Sequence, residues 1–158
     1  MHFRPLGLDD LPLLIKATVD NVNWDGTPRL STEQVLADDR LSKYALGFIP
    51  GRDWGFAALE SDKVIGVAWV QFFSEISPGY GFVDSETPEL SINVDKGSRG
   101  KGVGSQLLEA ILSNARELGC PSISLSVEDG NPARRLYEKF GFMPAGREGN
   151  SEKMIRKI

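Results

Sequence analysis

Apolar and polar residues alternate strictly in two short runs of the second half of the chain, and these runs anchor the prediction of its elements. In "ELSINV" (89–94), Leu90, Ile92 and Val94 share one face of a strand, with Glu89, Ser91 and Asn93 on the other. "SISLSV" (122–127) repeats the pattern. Between them, Leu107, Leu108, Ile111, Leu112, Ala115 and Leu118 recur at helical spacing over "SQLLEAILSNARELG", and Gly119 follows as a C-terminal cap. "NPARRLYEKFG" predicts a shorter helix with Asn131 at the N-cap, Pro132 at the first helical position and Gly141 just past the end. "FMPAG" and "EKMIRKI" read as closing strands.

The first half is less regular. "HFRPL" reads as a strand, and "DDLPLLIKATVDN" as a helix with Asp9 at the N-cap and Pro12 tolerated in its first turn. "STEQVLADDRLSKYA" reads as one further helix, opened by a capping box between Ser31 and Gln34, with the loop "NVNWDGTPRL" before it. "WGFAALE" and "VIGVAWVQFF" around "SDK" predict an antiparallel hairpin. The turn residues of "SEISPGYGFVDSETP" (74–88) predict a long loop, either a solvated excursion or a carrier of substrate contacts. A hairpin followed by strands joined through helices implies a mixed sheet in an α/β domain.

Composition narrows the chemistry. A chain of 158 residues, 41% hydrophobic, fits a single domain over 1–158. It has no long apolar run and no basic-then-apolar start, so the expectation is a cytoplasmic protein with no membrane partner. The single Cys120 is read as structural, and with His2 as the only histidine neither a zinc constellation nor a Ser-His-Asp or Cys-His site is expected. A net charge of −4 argues against general nucleic-acid binding.

The chemistry is concentrated in "RGKGVGS" (99–105), set between a predicted strand and a predicted helix. Gly100, Gly102 and Gly104 let an anion approach the main chain, the amides of a helix start point at it, and Arg99 and Lys101 add charge. The spacing is wrong for a Walker A loop, because Gly102 is followed by Val103 where a lysine would be needed. It also fails the dinucleotide fingerprint, because Gly100 and Gly102 lead to Ser105.

Arg99, Gly102 and Gly104 match Arg-x-x-Gly-x-Gly, and here the sequence resembles the GNAT superfamily of acetyl-CoA-dependent N-acetyltransferases. The later Asn131, Ala133, Leu136, Tyr137, Gly141 and Phe142 resemble a second pattern of that family, in the same order. The resemblance covers residues 89–145. It implies a mixed, mostly antiparallel sheet flanked by helices and splayed at two central parallel strands. It further implies that acetyl-CoA is the co-substrate, without a metal, its pyrophosphate on Arg99, Gly100, Lys101, Gly102, Val103, Gly104 and Ser105. Its pantetheine arm would pair with backbone groups of Ile92 and Val94 in the splay, with the amide of Asn93 or Val94 facing the oxyanion. Asn131 is either a cofactor contact or an ordinary helix cap; it precedes Tyr137 by six residues rather than the commoner seven.

Attack by an amine that arrives as an ammonium requires a base. Glu89 shares the reacting strand's polar face with Ser91 and Asn93 and is the leading candidate, with Glu75, Asp84 and Glu86 in the long loop as competitors and a solvated strand start as the structural alternative. Tyr137 matches the family's general acid for the departing thiolate, while its ring packs with Leu136 and Phe140. Trp24 either borders the acceptor pocket or covers the core edge. The expected activity is acetyl transfer to a primary amine by direct attack in a ternary complex, on a small-molecule or peptide acceptor, with a homodimer as the oligomeric state the resemblance suggests. A non-catalytic acyl-CoA sensor or interaction module is the alternative, and a longer acyl donor is a third reading.

Overall fold

The computed structural model describes residues 1–158. Strands β1 (His2–Pro5), β2 (Trp54–Glu60) and β3 (Lys63–Gln71) form an antiparallel meander, which β4 (Glu89–Val94) extends. β4 then neighbours β5 (Ser122–Glu128) in parallel, and β7 (Ser151–Lys157) and β6 (Met143–Glu148) complete a seven-stranded sheet of order β1-β2-β3-β4-β5-β7-β6. The pattern of elements predicts a mixed sheet, and its mostly antiparallel make-up is the one the family resemblance implies. The β2–β3 turn places Ser61 at φ 49° and Asp62 at φ 65°, the left-handed pair of a type I′ hairpin.

Helices cover both faces. Helices α4 (Val103–Glu117) and α5 (Ala133–Lys139) bury the main core, in which Leu107, Leu108 and Ile111 share one cluster with Ala68 and Val70 of β3, Leu90 of β4 and Ile123, Leu125 and Val127 of β5. On the other face, α1 (Leu11–Val22) and α3 (Asp39–Leu46) pack Leu14, Ala17 and Ala45 on Val67 and Trp69 of β3. Core burial therefore fixes α4, and with it the glycine loop at its start, against the sheet. Leu107 is fully buried, so Leu107→Ala is expected to cost about 2–5 kcal/mol and to lower the melting temperature in thermal denaturation.

Four boundaries depart from expectation. The stretch 31–45 is two helices, α2 (Thr32–Ala37) and α3, because the extended Asp38 ends the first and caps the second through Arg40 N at 2.9 Å. The Ser31–Gln34 capping box is present at the start of α2. Asp10 rather than Asp9 stands at the N-cap position of α1, after a 3₁₀ turn, and makes no side-chain capping bond because its carboxylate is taken by Arg4 at 2.8 Å and Gly7 N at 2.8 Å. β3 ends at Gln71, two residues before Phe73, because Phe72 N turns to Asp53 Oδ1 at 3.0 Å. Helix α5 begins at Ala133, yet Asn131 still caps it, its side-chain oxygen accepting from Ala133 N at 3.0 Å. No helix is long and apolar enough to cross a membrane.

Candidate active site

β4 and β5 are parallel neighbours that pair at one position only, Glu89 with Ser124, where Ser124 N donates to Pro88 O at 3.0 Å. Beyond it the ladder stops, and a cleft of about 750 Å³ opens between the strands. β4 stays paired with β3 along its full length, and Asp95 N donates across to Ile65 O at 2.9 Å. Because strand amides alternate in direction, the Glu89, Ser91 and Asn93 amides point to β3 while those of Ile92 and Val94 face the gap. Of the two residues expected to offer an oxyanion amide, only Val94 is therefore directed at the cleft. Asn93 reaches the cleft through its side chain, which donates to Asn21 Oδ1 at 3.1 Å.

At the outer end of the gap, Gly100 and Gly102 take left-handed backbone at φ 77° and 81°. Gly102 is the N-cap of α4, and no side chain caps that helix. The first amides of α4, at Val103, Gly104 and Ser105, thus have no intrahelical acceptor and no side-chain partner. A Cβ on Gly104 would lie 3.3 Å from Leu136 Cδ2, so glycine here lets α4 and α5 approach. Arg99 is exposed, with its Nε on Val94 O at 3.2 Å. Arg99, Gly100 and Gly104 line the cleft together with Ile92, Asn93, Val94 and Asn131. Lys101, Gly102, Val103 and Ser105 do not; the Val103 side chain belongs to the core, leaving its main chain to face a ligand.

Glu89 is 4% exposed and lines the floor of the cleft, so it is not a solvated residue at a strand start. Tyr44 of α3 donates to its Oε2 at 2.5 Å, and Gly81 N donates to its Oε1 at 3.0 Å. Burial outweighs both donors and pushes the carboxyl up to about 7. The competing carboxylates Glu75, Asp84 and Glu86 are all exposed on the loop and none lines the cleft.

Tyr137 lines the cleft from α5, its ring buried edge-on against Phe142 at 6.0 Å. Burial alone drives its hydroxyl well above the usual tyrosine range, which keeps it protonated and able to donate. Packing and proton donation are compatible here. The Asn131 side-chain oxygen is occupied by its capping bond, leaving the amide nitrogen for any contact with a ligand.

The opposite wall joins three elements distant in sequence. Trp24 Nε1 donates to Glu128 Oε2 at 3.1 Å, Arg29 binds Glu128 Oε1 at 2.5 Å, and Asn150 of the β6–β7 turn reaches the same oxygen at 3.3 Å. Trp24 therefore borders the cleft. Tyr44, Arg29 and Glu128 were not legible as site residues: Tyr44 sits within an ordinary helical pattern, and its partner is 45 positions away. The glycines of "PGYG" (78–81) were the available signal, since Gly79 and Gly81 bring the loop's backbone against this carboxylate.

A family model described as Acetyltransferase (GNAT) family matches residues 20–142. A Bacillus subtilis protein assigned as a phosphinothricin acetyltransferase is 36% identical over 117 residues, covering 73% of this chain and 68% of that protein. The L-methionine sulfoximine/L-methionine sulfone acetyltransferase of Pseudomonas aeruginosa is 31% identical over 150 residues, 90% of this chain and 80% of its own length. Among solved structures, the PaiA N-acetyltransferase of Thermoplasma acidophilum in complex with coenzyme A superposes over all of both chains, with a TM-score of 0.68 at 17% identity.

Proposed function

The chain belongs to the GNAT family of acetyl-CoA-dependent N-acetyltransferases, and from that membership we propose a direct transfer of the acetyl group to a small primary amine, with Glu89 as base and Tyr137 as acid. The observation that carries this reading is Glu89, a buried carboxyl at the floor of the splay with an affinity for protons near neutrality. The chain's features fit acetyl-CoA: a helix start with free amides for the pyrophosphate, and the unpaired edge of β4 at Ile92 and Val94 for the amides of the arm.

The acceptor ammonium gives a proton to Glu89, directly or through water, and the freed lone pair forms the C–N bond at the thioester carbon. Negative charge gathering on the carbonyl oxygen is met by the amide of Val94. As the C–S bond breaks, its electron pair goes to sulfur, Tyr137 supplies the proton, and the second proton lost by the attacking nitrogen restores that hydroxyl. Removing only that hydroxyl, Tyr137→Phe is expected to lower kcat by about 10²-fold or more while leaving acetyl-CoA affinity unchanged, read by initial rates and by titration with acetyl-CoA. An unaltered kcat where chemistry limits turnover would leave Tyr137 with packing alone.

For the acceptor we propose an amino acid carrying a free α-amine. Two of the relatives are named for amino-acid substrates, phosphinothricin and methionine sulfoximine or sulfone. The chemistry agrees in direction: the α-amine of an amino acid is a weaker base than an alkylamine, which titrates near about 10.4, so Glu89 at about 7 is closer to balance with the former. Thiol release from acetyl-CoA, measured over a panel of methionine sulfoximine, methionine sulfone, phosphinothricin, spermidine and a lysine blocked at its α-amine, tests this. The α-amino acids should give the highest kcat/KM; a preference for spermidine would overturn the assignment.

A further inference from the structure

We propose that Tyr44 is a positioning residue for the transfer, holding the Glu89 carboxylate at the cleft floor and setting the pH at which it becomes a base. This rests on the reading of Glu89 as the base. Tyr44 is itself held by the sheet beneath it. Trp69 Nε1 donates to Tyr44 O at 3.0 Å and to Gln71 Oε1 at 3.0 Å, while Gln71 Nε2 donates to Lys43 O at 2.9 Å. Two fully buried side chains of β3 thus fix the main chain of α3 where the tyrosine leaves it. The ring stands edge-on to Phe73 at 5.3 Å.

From that base the hydroxyl is placed on both sides. It accepts from Tyr80 N at 2.7 Å and so must spend its single proton on Glu89 Oε2, at 2.5 Å. Gly81 N serves the other carboxylate oxygen. The loop has no spare room around this arrangement: a Cβ on Gly79 would lie 2.2 Å from Glu89 Oε1 and 2.8 Å from Tyr44 Oη. On Gly81 it would lie 2.5 Å from the carbonyl carbon of Leu125 in β5. Of the other groups packed about Glu89, Gln71 and Ser124 are neutral. Lys43 and Lys153 are the cations, and each gives its ammonium to a loop carbonyl, Pro78 O at 2.6 Å and Phe82 O at 3.0 Å. Tyr80 presents only its backbone amide, its ring lying under Arg40 at 3.9 Å. Tyr44 is therefore the one side chain that donates to the carboxylate.

A donor to the ionised form favours ionisation, and Tyr44 lowers the proton affinity of Glu89 against a burial that raises it. Tyr44→Phe keeps the ring and removes the donor, leaving the carboxylate buried with one bond fewer. The acidic limb of kcat/KM should move up by roughly one pH unit, so that activity falls about tenfold below neutrality and returns toward wild type at high pH. A purely structural role would scale the rate equally at every pH.

The experiment compares pH profiles of kcat/KM for wild type, Tyr44→Phe, Gly79→Ala and Glu89→Gln, each first shown to be folded by its thermal shift with acetyl-CoA. The alkaline displacement is expected in Tyr44→Phe, and in Gly79→Ala, which crowds the same contact from the loop and serves alone if Tyr44→Phe does not fold. A limb unmoved in the folded variants overturns the role of Tyr44, provided that Glu89→Gln abolishes that limb. A limb that survives in Glu89→Gln overturns the reading of Glu89 instead.

Discussion

Glu89→Gln should reduce turnover at neutral pH by about 10²–10⁴-fold, the usual contribution of a general base, while acetyl-CoA still binds. The substitution keeps the shape of the side chain and removes its basicity. Glutamine still accepts from Tyr44 at one atom, but the NH₂ it presents to Gly81 N opposes a donor with a donor, so the variant also loses some stability. Its defect must therefore be read as a pH profile and not as a single rate. In the wild type the working form is the carboxylate, whose folded affinity for protons is raised to about 7. Activity should consequently fall as pH drops through 7 and level off above it. In Glu89→Gln that limb should vanish, and the residual rate should climb with pH as more of the amine arrives already deprotonated. Wild-type activity in the variant from pH 6 to 9 would place the base elsewhere, and Glu128 on the opposite wall is the other carboxylate that lines the cleft.

Gly102→Asp and Gly104→Asp should each abolish stabilisation by CoA and acetyl-CoA, for partly different reasons. Gly102 has only Gln106 Nε2, at 4.0 Å, near its missing Cβ but a φ of 81°, so any side chain there strains the N-cap of α4. Gly104 has ordinary backbone, but its Cβ would press on Leu136 at 3.3 Å, wedging α5 from α4. In both cases the new carboxylate stands where phosphate oxygens would meet the helix start, exchanging attraction for repulsion. A ligand present at 100 times its dissociation constant stabilises a protein by about 2.7 kcal/mol, and the associated rise in melting temperature should disappear in both variants. Gly102→Ala and Gly104→Ala separate the causes: Gly102→Ala carries strain without charge, and Gly104→Ala the milder crowding, so each should keep part of the shift. A full shift in either aspartate variant would move the pyrophosphate site away from this loop.

How much of this was legible in the sequence follows the range of the interactions. The strand at 89–94 has the boundaries its alternation predicts, and the glycine loop lies between strand and helix as its spacing requires. Both are local. The β4–β5 splay followed from the family resemblance, and the structure shows it as a parallel pair that stops after Glu89. The break at Asp38 was missed because helical periodicity runs through it; two adjacent aspartates, each a good cap, were the only sign. Directional detail was also out of reach. That Val94 rather than Asn93 turns its amide to the gap depends on which neighbour of β4 is antiparallel and in what register. The surroundings of Glu89 come from α3, the long loop and β7, and no local pattern reports contacts across such separations. Its burial, and hence its proton affinity, emerges only when those elements close over it.

The most direct measurement of the central claim follows the acetyl group itself through a single turnover. Protein in excess is mixed with acetyl-CoA labelled in its acetyl carbons, first alone and then with methionine sulfone, and the label is located on thioester, protein or amine. Direct transfer predicts that the label stays on the thioester until the amine is added, then appears on the amine nitrogen in step with free thiol, never on the protein. Label on the protein that later passes to the amine, or thiol released without any amine, would contradict it.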